Sequence, residues 1–155
     1  MKQSNLSRRE DKILFYGKKN KYWPLSNFYP SRIFIDGKMW PTVEHYYQAH
    51  KSLDPLMIED IRLTPHPAEA KKKGYEFKAR EDWEEVKEKI MYKALYAKFT
   101  QNATCKGLLL STGNLSIHED SPTDIYWGWQ NNGKDRLGIL LTKIRSELKN
   151  ENNRN

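Results

Sequence analysis

The stretch T-V-E-H-Y-Y-Q-A-H-K-S-L, Thr42 to Leu53, sets Glu44, Tyr47, Gln48 and Lys51 at i, i+3, i+4 and i+7. On a helix those positions share one face. Glu44 and Lys51 would then stand about 10.5 Å apart along the axis, close enough for long side chains to converge on one ligand. A carboxylate and an amine so placed could hold a polar ligand between them. The same pattern also describes an exposed helix face, and spacing leaves both readings open. At i+7 the two cannot form an ordinary helix-surface ion pair, and the neighbouring Trp40, Tyr46 and Tyr47 make full exposure awkward. His45 and His50 lack the H-E-x-x-H spacing and no cysteine cluster accompanies them, so they are expected to be structural and no metal site is expected.

Two further segments carry chemistry-bearing groups. In D-I-Y-W-G, Asp124 to Gly128, an acid stands beside the aromatic Trp127, and Gly128 permits close backbone approach. That set suits a ring attached to a sugar, and it equally suits an aromatic-packed loop. In W-P-L-S-N-F-Y-P, Trp23 to Pro30, Ser26 and Asn27 lie between aromatics that include Phe28. They are candidate substrate contacts, or simply a turn. No glycine-rich phosphate loop is present. Cys105, the lone cysteine, sits in A-T-C-K-G-L-L-L and is expected to be a buried, inert thiol.

The elements that must position these groups are partly legible. Ile13 to Tyr16 reads as a strand, and Arg32 to Trp40 as a hairpin turning on Asp36-Gly37 in a type I′ turn. Thr42 is an N-cap for a helix predicted to run to about Leu53. Helices at 55–62 and 67–74 follow, the second closed by Gly74. A long helix over 81–101 carries an apolar stripe of Trp83, Val86, Ile90, Ala94 and Ala97, with Glu84, Glu85, Lys87, Glu88 and Lys89 on a solvated face. Leu137, Leu140, Leu141, Ile144 and Leu148 mark a last helix. Between these two helices there is room for short strands around 115–118 and 125–127.

Length and composition bound the rest. A chain of 155 residues is the size of one domain. Leu, Ile, Val and Phe number only 32, but five Trp and nine Tyr supply large buriable surface. The expected fold class is therefore α+β, a mostly helical single domain with a few short strands including the hairpin. The net charge is +7, yet residues 1–24 hold seven Lys/Arg against two acids, so the body is nearly balanced. The expected layout is a polar basic arm at 1–12, the domain at 13–149 and a polar tail at 150–155. One cysteine, no signal-peptide pattern and no apolar run long enough to span a bilayer point to the cytoplasm, without membrane attachment.

Together the segments L-S-N-F-Y-P, W-P-T-V-E-H-Y-Y-Q-A-H-K, D-W-E-E-V-K, K-F-T-Q-N, D-x-Y-W-G and L-G-I-L-L, in that order, resemble the NADAR (YbiA-like) proteins over about Ile13 to Leu148. The resemblance implies a compact α+β fold and N-glycosidase activity. Its substrate would be either a ribosylamino-pyrimidine phosphate of early riboflavin biosynthesis, releasing ribose 5-phosphate, or ADP-ribosylated guanine in a nucleotide or nucleic acid. It implies Glu44 and Lys51 as catalytic residues, Asp124 as the acid before W-G, and Asn27, Tyr46, Trp83 and Trp127 around the substrate. Ser26, Phe28, Tyr47 and Gly128 complete the expected contacts. No cofactor and no obligate protein partner are implied. One departure stands out: relatives often read G-K-N-x-L-G where this chain has Gly133-Lys134-Asp135-Arg136-Leu137-Gly138, and an acid there would repel a phosphate.

The chemistry suits these residues. Cleaving a base from ribose builds positive charge at C1′, which carboxylates stabilise. Lys51 could attack C1′ to form a Schiff base, or Glu44 could activate water directly; residue types allow both. The rival from a different class is a non-catalytic module that binds ADP-ribose or a related nucleotide. A basic nucleic-acid binder is a third reading, weakened by the balanced charge of the body.

Overall fold

The computed structural model describes residues 11–154, six α-helices and four short strands among them, an α+β arrangement dominated by helix. The expected arm at 1–12 lies outside the described residues apart from Asp11 and Lys12, and Lys12 already opens the first strand. The described residues form two compact units.

The first unit spans residues 27–103. Its hairpin pairs β2 (Ile33–Ile35) with β3 (Lys38–Trp40), antiparallel, Ile33 opposite Trp40. Asp36 and Gly37 both take positive φ, at 51° and 79°, as the type I′ turn requires. Helix α1 (Val43–Ala49) is capped by Thr42, whose hydroxyl accepts from the His45 amide. It stops four residues short of the predicted end. His50 donates from Nδ1 to the Tyr46 carbonyl, and Asp54 must be extended both to cap the next helix and to precede Pro55. Lys51 thus lies in the turn after α1, not on its face. Helices α2 (Pro55–Arg62) and α3 (Pro67–Gly74) fall at the predicted bounds.

Helix α4 (Trp83–Gln101) completes this unit, and its buried stripe differs from the predicted one. Trp83, Ala94 and Ala97 are buried, Val86 and Ile90 only partly, and Lys87, Met91, Leu95, Lys98 and Phe99 join the buried set. Lys87 therefore does not belong to the solvated face. The steps Trp83, Lys87, Met91, Ala94, Leu95, Lys98 make one continuous helical stripe in which two lysines contribute their apolar stems.

The second unit contains residues 11–26 and 104–154. Strand β1 (Lys12–Phe15) pairs in parallel with β4 (Ser116–Glu119), Ile13 beside Ile117. Of the two strands expected between the long helices only β4 forms; residues 125–127 make a turn. Helix α5 (Ala103–Ser111) buries Cys105 completely. Helix α6 (Arg136–Arg154) buries the whole predicted leucine and isoleucine stripe, and it continues through residues 150–154, expected to lie beyond it. No helix among the described residues is long and apolar enough to cross a membrane.

Candidate active site

Glu44 sits in the first turn of α1, only 6 % exposed, and its backbone amide donates to the Asn27 carbonyl at 3.1 Å. The Asn27 side chain donates to Met91 Sδ at 3.5 Å, while its buried Oδ1 accepts no hydrogen bond. One turn along α1, Gln48 Nε2 donates to Glu44 Oε1 at 2.7 Å. One oxygen of the buried carboxylate is thus held by a neutral amide.

The Glu44 carboxylate acts electrostatically on Lys51. The Lys51 backbone is pinned at both ends of the peptide unit: the amide donates to the Gln48 carbonyl at 3.3 Å and the carbonyl accepts from the Arg80 amide at 2.8 Å. Its ammonium lies among three rings, 4.4 Å from the centre of Tyr75, 5.8 Å from Tyr47 and 6.0 Å from Trp83. Tyr47 and Trp83 pack on each other at 5.0 Å. Lys51 is 8 % exposed, and burial pushes its pKa below the usual lysine value; the Glu44 carboxylate works against that shift, and the charges of Lys71 and Lys87 work with it. Aromatic faces favour the cation moderately, whereas removal from water favours the neutral amine. Burial is the larger influence, so Lys51 gives up its proton more readily than an exposed lysine does.

The remaining predicted residues divide. Phe28 is half-buried, with Lys71 Nζ 5.9 Å from its ring centre. Tyr46, two residues on from Glu44, turns to another side of α1, where its ring meets Trp40 at 5.1 Å and His50 at 4.0 Å. Of Trp40, Tyr46 and Tyr47, the rings expected to limit exposure of this face, Tyr47 lies at the Lys51 ammonium, together with Tyr75 and Trp83. Buried His45 donates from Nε2 to the Thr64 carbonyl at 2.7 Å and accepts at Nδ1 from the Thr42 hydroxyl at 2.8 Å, a satisfied structural histidine. Among the described residues no three His, Cys, Asp or Glu side chains cluster as a metal ion would need.

Ser26, Asp124, Trp127 and Gly128 belong to the second unit. Ser26 ends a short 3-10 turn, its amide donating to the Trp23 carbonyl. Asp124 Oδ1 accepts from the Tyr126 and Trp127 amides at 3.0 and 2.8 Å, an Asx turn that fixes the loop. Trp127 is buried edge-on to Tyr126, 4.9 Å between ring centres. Gly128 is required sterically, since a Cβ there would lie 2.5 Å from the Asp124 carbonyl oxygen. Asp135, the departure noted in the sequence, adopts φ 54° and binds His118 Nδ1 through Oδ2 at 2.6 Å. Burial raises the Asp135 pKa while His118 pulls it down, so part of the acid's charge is met locally.

Sequence reasoning missed Tyr75, Lys71 and Lys87 as neighbours of Lys51. Tyr75 follows K-K-K-G and carries no periodic signal; Lys87, four residues after Trp83, could have been found by extending the Trp83 stripe.

Comparison with known proteins matches the NADAR domain over residues 14–149. N-glycosidase YbiA of Escherichia coli (strain K12) is 44 % identical over 140 residues, covering 88 % of each chain. An N-glycosidase of Nostoc punctiforme is 40 % identical over 145 residues, covering 89 % of this chain and 93 % of its own. A riboflavin biosynthesis protein of Vibrio vulnificus is 34 % identical over 143 residues, 90 % of this chain but 39 % of that longer protein. The solution structure of E. coli YbiA superposes with a TM-score of 0.84 at 44 % identity, over 92 % of this chain and 88 % of that one. With a domain match spanning nearly all its described residues and relatives of this similarity, the chain belongs to the NADAR domain family.

Proposed function

We propose that this chain is an N-glycosidase that cleaves the bond between ribose and a base or amino-pyrimidine, with Lys51 as nucleophile and Glu44 as proton carrier. The observation that carries this reading is the buried amine among Tyr47, Tyr75 and Trp83, its charge opposed by burial and supported by Glu44. Two similar proteins bear the name N-glycosidase, and a third is named for riboflavin biosynthesis, which favours ribosylamino-pyrimidine phosphates as substrate over ADP-ribosylated guanine.

The steps follow from the residues. The N-ribosyl amine opens its sugar ring to an iminium at C1′ as the ring oxygen takes a proton from solvent, a proton that Glu44 returns to solvent when the Schiff base is hydrolysed. Neutral Lys51 Nζ adds to C1′, passing a proton to Glu44; Glu44 returns a proton to the departing nitrogen, and the original C–N bond breaks as the free amine leaves. The C1′=Nζ Schiff base then takes up water, with Glu44 as general base, and collapses to the free sugar and neutral Lys51. Atoms balance as one water consumed per bond cleaved, with no cofactor required. Asp124, Trp127 and Ser26 are proposed to contact the substrate on the resemblance alone.

The test is sugar release, followed by mass spectrometry, from a ribosylamino-pyrimidine phosphate and from ADP-ribosylated guanosine, with Glu44→Gln as control. Release from either substrate by wild type and not by the variant supports the reading. If neither is cleaved while ADP-ribose binds, the chain is a binding module instead. Borohydride added during turnover should leave a sugar-sized adduct on Lys51; an adduct unchanged in Lys51→Ala, or none at all during active turnover, returns the mechanism to direct attack by water.

A further inference from the structure

Of the three rings around the Lys51 ammonium, two are committed to the interior and one is not. Tyr47 and Trp83 are 7 % and 8 % exposed and pack on each other. Tyr75 lies nearest the amine, at 4.4 Å, and is 71 % exposed. Among the described residues its side chain makes no hydrogen bond and meets no other ring, so its contact with the Lys51 ammonium stands alone.

The backbone beneath this ring is held. Tyr75 ends α3, its amide donating to the Lys72 carbonyl at 3.1 Å, and the Glu76 amide repeats that bond to Lys73 at 3.0 Å. Gly74, just before it, lies so close to Gln48 that a Cβ would fall 2.0 Å from Gln48 Oε1. The end of α3 is thereby seated on α1, the helix that carries Glu44 and Gln48. An exposed tyrosine is ordinary by itself. One fixed on a seated helix end against a buried amine presents a flat apolar face beside the reacting atom.

The chemistry says what that face meets. In the reaction above Lys51 Nζ bonds to C1′, and the departing nitrogen is bonded to the same carbon, two bonds from Nζ. The group attached to that nitrogen must therefore lie within a few ångströms of the amine, which is where Tyr75 stands. Pyrimidines and purines have flat faces that stack on aromatic side chains whatever their hydrogen-bonding edges. Of the rings at the amine, Tyr75 is the one with a face open to receive them.

We propose that Tyr75 is a specificity-determining residue that stacks on the leaving group, so that the site favours flat heteroaromatic leaving groups over aliphatic ones. This inference rests on the N-glycosidase reading and adds to it the residue that reads the leaving group.

The test separates the leaving group from the sugar. Calorimetric titration of wild type, Tyr75→Leu and Tyr75→Phe with the free aminopyrimidine product, guanosine and ribose reads stacking without turnover. Tyr75→Leu should weaken the two ligands that carry a base by about five- to tenfold, the lower part of the range for a base on an aromatic side chain because this ring faces water. Ribose should be unaffected, and Tyr75→Phe should match wild type, since the ring and not the hydroxyl is used. With the substrate that wild type cleaves, Tyr75→Leu should raise KM and leave kcat little changed. A melting temperature like that of wild type certifies the fold, and Tyr75→Gln gives a second reading at this exposed position. A loss confined to the aminopyrimidine or to guanosine supports the proposal and assigns the ring to a pyrimidine or a purine. Undiminished affinity for both in the leucine and glutamine variants, or a wild type that binds neither, overturns it. So does a fall in kcat with a displaced pH profile at constant affinity, because the ring would then act on the Lys51 charge alone. If the base-bearing ligands respond as described while neither ribosylated substrate is cleaved, the N-glycosidase reading fails and the stacking ring stands.

Discussion

Gln48 Nε2 donates to Glu44 Oε1 across 2.7 Å, one helical turn apart, and both side chains are buried. Among the described residues Gln48 Oε1 is buried and accepts no hydrogen bond, so the one hydrogen bond of its side-chain amide is that to Glu44. Replacing it by Leu should leave the fold in place and free the carboxylate to turn. We expect kcat to fall by roughly tenfold or more, within the range that positioned proton transfer contributes, with KM little changed. Steady-state kinetics of Gln48→Leu and Gln48→Glu would check this; the second puts two carboxylates together, which should move the pH profile as well as the rate.

Gly74→Ala should impair catalysis from a residue with no side chain of its own. The new methyl would occupy the space of Gln48 Oε1, 2.0 Å away, and push that side chain off Glu44. Overpacking of this kind costs about 1 to 3 kcal/mol, readable as a lower urea midpoint. Activity in Gly74→Ala should resemble that of Gln48→Leu, and the double variant Gly74→Ala/Gln48→Ala should regain stability without regaining rate. Independent losses in the double variant would mean the two residues do not act through one contact.

Asp124 offers a separation of structure from charge. Its Oδ1 accepts two backbone amides, and asparagine keeps an oxygen at that position while losing the negative charge. Asp124→Asn should therefore melt close to wild type, whereas Asp124→Ala loses the turn and about 1 to 3 kcal/mol with the two amides left unpaired. If the charge assists the reaction, Asp124→Asn loses rate at unchanged stability. Full activity in a stable Asp124→Asn would confine this residue to holding the loop.

His45 and His50 set a pH dependence of stability. Burial, the larger influence on both, holds their pKa below the ordinary value of 6.5; for His45 the bond to Thr64 opposes it, and for His50 the bond to Tyr46 does. In the unfolded chain they protonate as pH falls through 6.5, while in the folded chain they resist, so the unfolded state binds more protons and stability is lost. Urea midpoints should be level above about pH 7 and decline below the ordinary histidine pKa. His45→Gln should flatten that decline by removing one titrating group, whatever it does to stability itself.

Some of this architecture was readable from residue types. The hairpin followed from Asp36-Gly37 between apolar residues, because few pairs tolerate two consecutive positive φ values. The α6 stripe followed from five apolar residues at helical spacing, all of which are buried. Where the reading erred, a tertiary contact overrode a local preference. Q-A-H-K-S-L has no helix breaker, yet the chain leaves the helix at His50 because Asp54 is needed for the next cap and Lys51 answers the Arg80 amide. Lys87 reads as solvated because charged residues usually are, yet it is 8 % exposed on the buried stripe between Trp83 and Met91. Glu44, Lys51, Tyr47 and Trp83 were nominated by type and resemblance, and they do gather in the first unit. Tyr75 could not have been, since an exposed tyrosine after a basic run looks like any surface residue.

That tyrosine bears on how the site could be addressed with reagents. Tyr75 is 71 % exposed while Lys51, whose amine lies 4.4 Å from its ring centre, is 8 % exposed, so of the three rings around this amine Tyr75 is the one that faces solvent. Surface lysines are largely protonated at neutral pH and react slowly with aldehydes. An amine held below its usual pKa beside an exposed ring should form an imine with a flat aromatic aldehyde that stacks on Tyr75 sooner than the exposed lysines do, a difference that peptide mapping after reduction would read.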